Sequence, residues 1–391
     1  MAPGRSGAPG GNVTLLGGTL FAVALGEELW QTYLPKYLAV LGANGVAIGA
    51  FSSLRDLLDG AYQYPGGWLV DRFGQRRALL AGLSLALAGY VGYATAGRWP
   101  LMFVALAAVM AWRAGAFPLT FAVLAEELPA GRRTFAFSVQ SILVRIPRVI
   151  GAPAGGLLIG SFGLAAGFRA AALFCVIVTA GVLVLNWQRF RETAGLDRTF
   201  HPRSIREVVT GLPRPLTRLL LADAFVRFGE AIGGAFIILY STTVIGISTP
   251  AFGVLYAIQQ TVAILSYVPT LRSSAWARRR VLIAFTFVAF ALFPLAVRVA
   301  GGLVALVAAF VIGGLKELGE PARKSLIADL APAAERGRAV GAYYTIRNTV
   351  IVPAGVIGGI LWQGAPARPL EVGCVVSVIG VCVFLATFRS E

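Results

Sequence analysis

The residues able to do chemistry in this chain are carboxylates and cations set in apolar surroundings. The stretch "LFAVALGEELWQTYL", Leu20 to Leu34, carries Glu27 and Glu28 between aliphatic and aromatic residues. The pattern recurs: Asp56, Asp59, Asp223, Glu230, Glu317 and Glu320 lie in apolar segments, as do Arg55, Arg113, Arg145, Arg148, Arg227, Lys316 and Arg347. This set of eight acids and seven bases is nearly balanced, which points to mutual compensation. Three pairs have the i, i+4 spacing of one helix face: Arg55 with Asp59, Asp223 with Arg227, and Lys316 with Glu320. Such groups can take up protons, pair with one another and hold a charged solute. Hydrolytic chemistry is poorly served. His201 is the only histidine, which excludes H-E-x-x-H, and there is neither a G-x-S-x-G elbow nor a P-loop. Cys175, Cys374 and Cys382 have no metal-type spacing and read as packing residues. No enzymatic activity, no cofactor and no metal is expected, and the lack of a nucleotide site argues against a primary pump.

The elements that position these groups follow from composition. The chain has 391 residues, 57% hydrophobic and 13% charged, with a mean hydropathy of +0.75, well outside the soluble range. A membrane span needs about 20 mostly apolar residues. Twelve candidates are predicted: 14–38, 44–70, 77–97, 99–127, 134–161, 165–188, 217–245, 250–270, 280–299, 301–329, 336–362 and 369–388. The fold class is therefore all-α integral membrane. Residues 1–13 read as a cytoplasmic tail, 14–188 and 217–388 as two six-helix halves, and the polar, proline-bearing stretch 189–216 as the linker between them.

A net charge of +16 would suggest nucleic acid in a soluble protein, but the arginines sit in alternate loops. Arg72, Arg76 and Arg77, then Arg132 and Arg133, then Arg278 to Arg280 fall on one side, together with the arginine-rich linker. By the positive-inside rule both termini are cytoplasmic in a plasma-membrane protein, and the charge is a topology signal. Nucleic acid is not an expected partner; the lipid bilayer, a small solute and protons are.

An internal repeat emerges at an offset of 202 or 203 residues. It carries Glu27 onto Glu230, Arg113 onto Lys316, Glu127 onto Asp329, and Arg145 onto Arg347. Burying one of these charges unpaired costs at least about 2.5–3.5 kcal/mol, so they must face a wet or protein-lined interior. Counted from the span starts, Glu27 and Glu230 each lie about 13 positions in, near mid-bilayer at a rise of about 1.5 Å per residue. Glu28 points about 100° away and suits packing or a rim.

The loop after the second span, "GGWLVDRFGQRRALL", resembles the G-x-x-x-D-R-x-G-R-R signature of the major facilitator superfamily through Gly67, Asp71, Arg72, Gly74, Arg76 and Arg77. The resemblance implies a transporter of twelve helices in two pseudo-symmetric halves, working by alternating access as a monomer. In that family spans 1, 4, 7 and 10 line the cavity, which singles out Glu27, Arg113, Glu230 and Lys316. Asp56, Asp59, Arg145, Glu317, Glu320 and Arg347 complete the expected cavity set. Arg113 sits where the family often carries an arginine associated with proton coupling, so Glu27 is expected to carry the proton and Arg113 to govern its release. Span 5, "RVIGAPAGGLLIG", resembles a motif associated with exporters but departs from it at Pro153, and close helix packing explains its small residues equally well. Asp71 with its arginines, and Glu127, Arg133, Asp329 and Arg336 at the ends of spans 4 and 10, form the expected cytoplasmic gate. The alternatives are a facilitative uniporter or importer of a small metabolite or ion, and a non-transporting receptor on the same scaffold.

Overall fold

A computed structural model describes residues 11–112, 145–191, 212–270, 276–331 and 336–388. Every regular element among them is helical. The helices are α1 (Gly11–Glu28), α2 (Leu34–Val40), α3 (Gly45–Phe73), α4 (Gln75–Thr95), α5 (Trp99–Trp112), α6 (Ile146–Phe162), α7 (Leu164–Arg189), α8 (Arg214–Gly234) and α9 (Phe236–Leu239). They continue with α10 (Thr249–Thr270), α11 (Trp276–Val299), α12 (Leu303–Leu315), α13 (Glu320–Leu330), α14 (Arg336–Ile351), α15 (Ala354–Gly364) and α16 (Arg368–Thr387). Six stretches among the described residues are long and apolar enough to cross a membrane, and α5 and α6 are shorter apolar helices. An all-α membrane fold is thus established, and twelve spans are consistent with it.

By contacts between backbones the chain groups into two compact units, Met1–Gln31 with Ala61–Thr199, and Thr32–Gly60 with Phe200–Glu391. In the first, small residues let helices meet backbone to backbone. A Cβ on Gly155 would collide with the Leu29 carbonyl, and one on Gly167 would come within 2.5 Å of the Ile159 Cα. Trp30 is wrapped by Tyr90, Tyr93 and Phe168, with ring centroids 6.1, 4.7 and 5.8 Å away. Cys175 fills the space beside Gly26, where a Cβ would lie 2.9 Å from its Sγ.

In the second unit α8 runs against α16 at Gly229, Gly373 and Gly380, while the first half of α3 lies against α15 through Gly45, Gly49 and Ser53 opposite Gly355 and Gly359. Phe287, Phe290, Leu326, Tyr343 and Phe384 form part of its apolar core.

Several predicted spans are interrupted where their charges sit. The helix of the first span ends at Glu28, with the Trp30 amide closing on the Glu27 carbonyl at 3.2 Å. Glu27 therefore lies in the last turn of α1 and not in mid-helix. The tenth span breaks across Lys316–Gly319. Pro321 has no amide to give the Glu317 carbonyl, so the Glu320 amide closes on that carbonyl at 3.2 Å instead. The Gly319 amide finds the Thr286 hydroxyl at 2.6 Å. Non-helical backbone at such depth is tolerated only where protein or a cavity satisfies it.

Candidate functional site

The second unit holds a continuous chain of ion pairs. Lys316, at the broken end of α12, donates to Glu230 on α8 at 2.6 Å. Glu230 also accepts from Arg227 at 3.0 Å, one helical turn away. Arg227 passes on to Glu320, the first residue of α13. Glu320 is gripped by Arg323 through Nη2 at 2.7 Å and Nε at 3.2 Å, and Arg323 in turn donates to Asp223 on α8. Tyr343 on α14 donates to the same Asp223 oxygen at 2.9 Å. Arg347, one turn further, approaches that oxygen at 3.6 Å. The order is Lys316–Glu230–Arg227–Glu320–Arg323–Asp223–Arg347, four bases alternating with three acids.

Each member owes its place to the local sequence. Asp223, Arg227 and Glu230 share one face of α8 by their i, i+4 and i, i+3 spacing. The break before Pro321 points Lys316 and Glu320 into that face from two different helices. Exposure is uneven along the chain. The Asp223 and Arg323 side chains are 0% and 2% exposed, whereas Lys316 is 15% and Glu230 31% exposed. A dry stretch, Arg323 with Asp223, thereby lies between two more accessible ends, Lys316 with Glu230 on one side and Arg347, 16% exposed, on the other. Phe290 and Phe293 flank the Lys316 end, with the ammonium 5.1 and 5.6 Å from their ring centroids.

The expected pairings are corrected in two places. Lys316 does not pair with Glu320, because the helix break removes the i, i+4 relation between them. Arg55 turns to Asp56 at 3.6 Å and not to Asp59, which is exposed. The Asp223–Arg227 pair is present, at 3.8 Å. Arg323, absent from the counted bases, is buried and central. Its signal was the i, i+3 spacing to Glu320 in "EPARKSL".

In the first unit Glu27 is buried and accepts a hydrogen bond from the Tyr90 phenol. Glu28, buried beside it, pairs with Arg148 at 3.0 Å and so has a structural partner. Arg145 occupies the N-cap position of α6, with no capping bond from its side chain. Glu317 accepts from Tyr267 at 3.1 Å. Among the gate residues, Gly74 has a φ of 84°, a left-handed turn that glycine adopts freely. Arg76 donates to the Trp187 carbonyl, Arg72 lies over Phe73 and Arg77 is exposed. Asp329 is held by Arg279 at 2.7 Å. Arg113, Glu127 and Arg133 lie outside the described residues, and of Gly67, Asp71 and Arg336 only the helical backbone is described. Among the described residues no three His, Cys, Asp or Glu come together as a metal set. The arrangement can exchange protons and hold charged groups.

Comparison with known proteins agrees with this architecture. The family described as Major Facilitator Superfamily matches residues 11–355. The multidrug resistance protein MdtH of Klebsiella pneumoniae is 25% identical over 374 residues, covering 90% of this chain and 87% of its own. The class C tetracycline resistance protein of Escherichia coli is 27% identical over 256 residues, 62% of this chain and 64% of its own. Among solved structures, the nucleoside transporter NupG superposes with a TM-score of 0.74 at 14% identity, covering 97% of this chain and 99% of its own. A peptide transporter, POT, in complex with sulfate gives 0.72 at 19% identity, covering 98% and 95%. At those identities the structures speak to fold alone.

Proposed function

Because the chain belongs to the Major Facilitator Superfamily and so is a membrane transporter, we propose that it moves a small solute by alternating access, coupled to protons and directed outward. It works in the plasma membrane as a monomer with both termini in the cytoplasm. The observation that carries this reading is the uneven exposure of the ion-pair chain, in which Glu230, beside Lys316, is the most accessible member. Protonating Glu230 neutralises the carboxylate that Lys316 and Arg227 share and weakens both bonds, without touching the dry Asp223–Arg323 pair. Lys316 can then meet a solute while Arg227 stays on Glu320, and losing the proton re-forms the pairs and displaces the solute. A site whose two occupants exclude each other in this way biases two states of the protein differently, as coupled exchange requires. Glu27, buried and bonded to Tyr90, is the repeat-related carboxylate and serves as the proton carrier of the first unit, with Arg113 governing release. Relatives named for drug and tetracycline resistance support the outward direction.

The test uses the full chain in proteoliposomes, with solutes first selected by thermal shift from metabolites and drugs. Wild type should concentrate a selected solute only while a pH gradient is imposed. Glu27→Gln and Glu230→Gln keep size and hydrogen-bonding capacity but cannot ionise. Each should abolish gradient-driven accumulation while sparing downhill exchange. If both variants still concentrate solute as well as wild type, proton coupling through these carboxylates is wrong.

A further inference from the structure

The ion-pair chain of the second unit begins and ends on a cation. With Lys316, Arg227, Arg323 and Arg347 set against Glu230, Glu320 and Asp223, it carries one positive charge more than its own acids neutralise. The surplus can be located. Lys316, Arg227 and Arg323 each have a carboxylate oxygen at 3.0 Å or less. Arg347 reaches Asp223 only at 3.6 Å, and that oxygen already accepts from Arg323 and Tyr343. The remaining Arg347 donors, Nε and Nη2, both point at the neutral Asn348 Oδ1, at 3.2 and 3.0 Å. The guanidinium is stacked 4.7 Å from the Tyr344 ring centroid, which fixes its plane, and the side chain remains 16% exposed. Among the described residues, no ion pair joins Asp56 or Asp59 to either end of the chain; Asp56 is taken by Arg55.

We infer that the transported solute is an anion, and that a carboxylate of the solute docks on Arg347. The guanidinium presents a planar fork that matches a carboxylate in two parallel hydrogen bonds, held in orientation by the Tyr344 ring. The Asn348 amide is a placeholder: it supplies one neutral oxygen to two donors, so an incoming carboxylate offers one oxygen to each and removes the uncompensated charge. The other cationic end, Lys316, is released when Glu230 takes a proton and can meet a second polar group of the same solute. This inference names the substrate class of the transport site above and rests on that reading for its consequence, while its geometry stands apart from it.

The test measures thermal unfolding of the purified full chain with benzoate, salicylate and glutarate, each beside its amide. At least one carboxylate should raise the melting temperature where its amide does not. A charge-assisted hydrogen bond contributes about 1.5–3 kcal/mol, so Arg347→Gln should weaken that carboxylate about tenfold to a hundredfold, with Arg347→Lys recovering part of the loss. Asn348→Asp changes little bulk but supplies the missing negative charge internally, and should weaken the carboxylate likewise. Amides that stabilise as well as the acids, a panel in which no acid stabilises, or binding indifferent to both Arg347→Gln and Asn348→Asp would overturn the inference. Flux separates the two readings. A carboxylate that binds through Arg347 but is never carried removes transport and leaves the anion site. A neutral solute carried independently of Arg347 removes the anion site and leaves transport.

Discussion

Replacing Arg323 with Met should be among the most destabilising single changes in the second unit. The Arg323 side chain is 2% exposed and makes three hydrogen bonds, to Asp223 and to both oxygens of Glu320. Removing it leaves Asp223, itself fully buried, with only the Tyr343 hydroxyl at 2.9 Å and two longer approaches, Arg347 at 3.6 Å and Arg227 at 3.8 Å. Glu320 retains Arg227. Breaking one side of a buried ion pair costs about 3–5 kcal/mol, because a charge is stranded away from water. The remaining partners of Asp223 and Glu320 place the expected loss at the lower end, about 3 kcal/mol. Met keeps most of the volume, so a cavity adds little. The assay is reversible unfolding of the purified protein in mixed micelles titrated with denaturing detergent. The double variant Asp223→Leu/Arg323→Met should recover most of the loss, since apolar groups of similar volume replace a buried pair at little net change. A loss below about 1 kcal/mol for the single variant, or additive losses in the double, would refute the reasoning. Either result would mean that the Asp223–Arg323 pair is solvated and contributes little to stability.

Gly155→Ala and Gly181→Ala make the same chemical change with opposite expected signs. A Cβ at Gly155 meets the Leu29 backbone, which cannot yield as a side chain can, so a loss of about 1–3 kcal/mol is expected in the same unfolding assay. Gly181 lies within α7 with no atom within 4 Å of its Cβ position, so Ala there should be neutral or stabilise by up to about 1 kcal/mol. Arg279→Ala removes the partner of Asp329, which is largely exposed, and should cost under about 1 kcal/mol of stability; a larger loss would mark the pair as part of the gate. Asp71→Asn should leave insertion and folding intact while shifting the balance of inward- and outward-facing states by about 1 kcal/mol, read as cysteine accessibility on the two sides; an unchanged balance removes the latch role.

The sequence alone determined that this chain is an all-α membrane protein, because apolar length and arginine placement are properties of composition along the chain and need no partner. It also showed that charges recur at an offset of 202 or 203 residues, and Glu230 with Lys316 shows why that was informative: an insertion penalty applies to a residue wherever the helix packs. Partnership was another matter. The i, i+4 rule paired Asp223 with Arg227 correctly, since α8 is unbroken there. It failed for Lys316 and Glu320, because the helix breaks before Pro321 and each then faces α8 separately. Arg323 went uncounted and became the most buried base of the chain, held between Asp223 on α8 and Glu320 on its own helix α13, and no local spacing relates it to Asp223. Tertiary structure also decided which carboxylate is structural and which accessible. Asp223 and Glu230 stand two turns apart on one helix with the same chemistry, yet one is sealed and the other open. The physical reason is that ion pairing and desolvation depend on distances across helices and on what covers a side chain. Both are set by packing, whereas the sequence fixes only the groups available and their order along each helix.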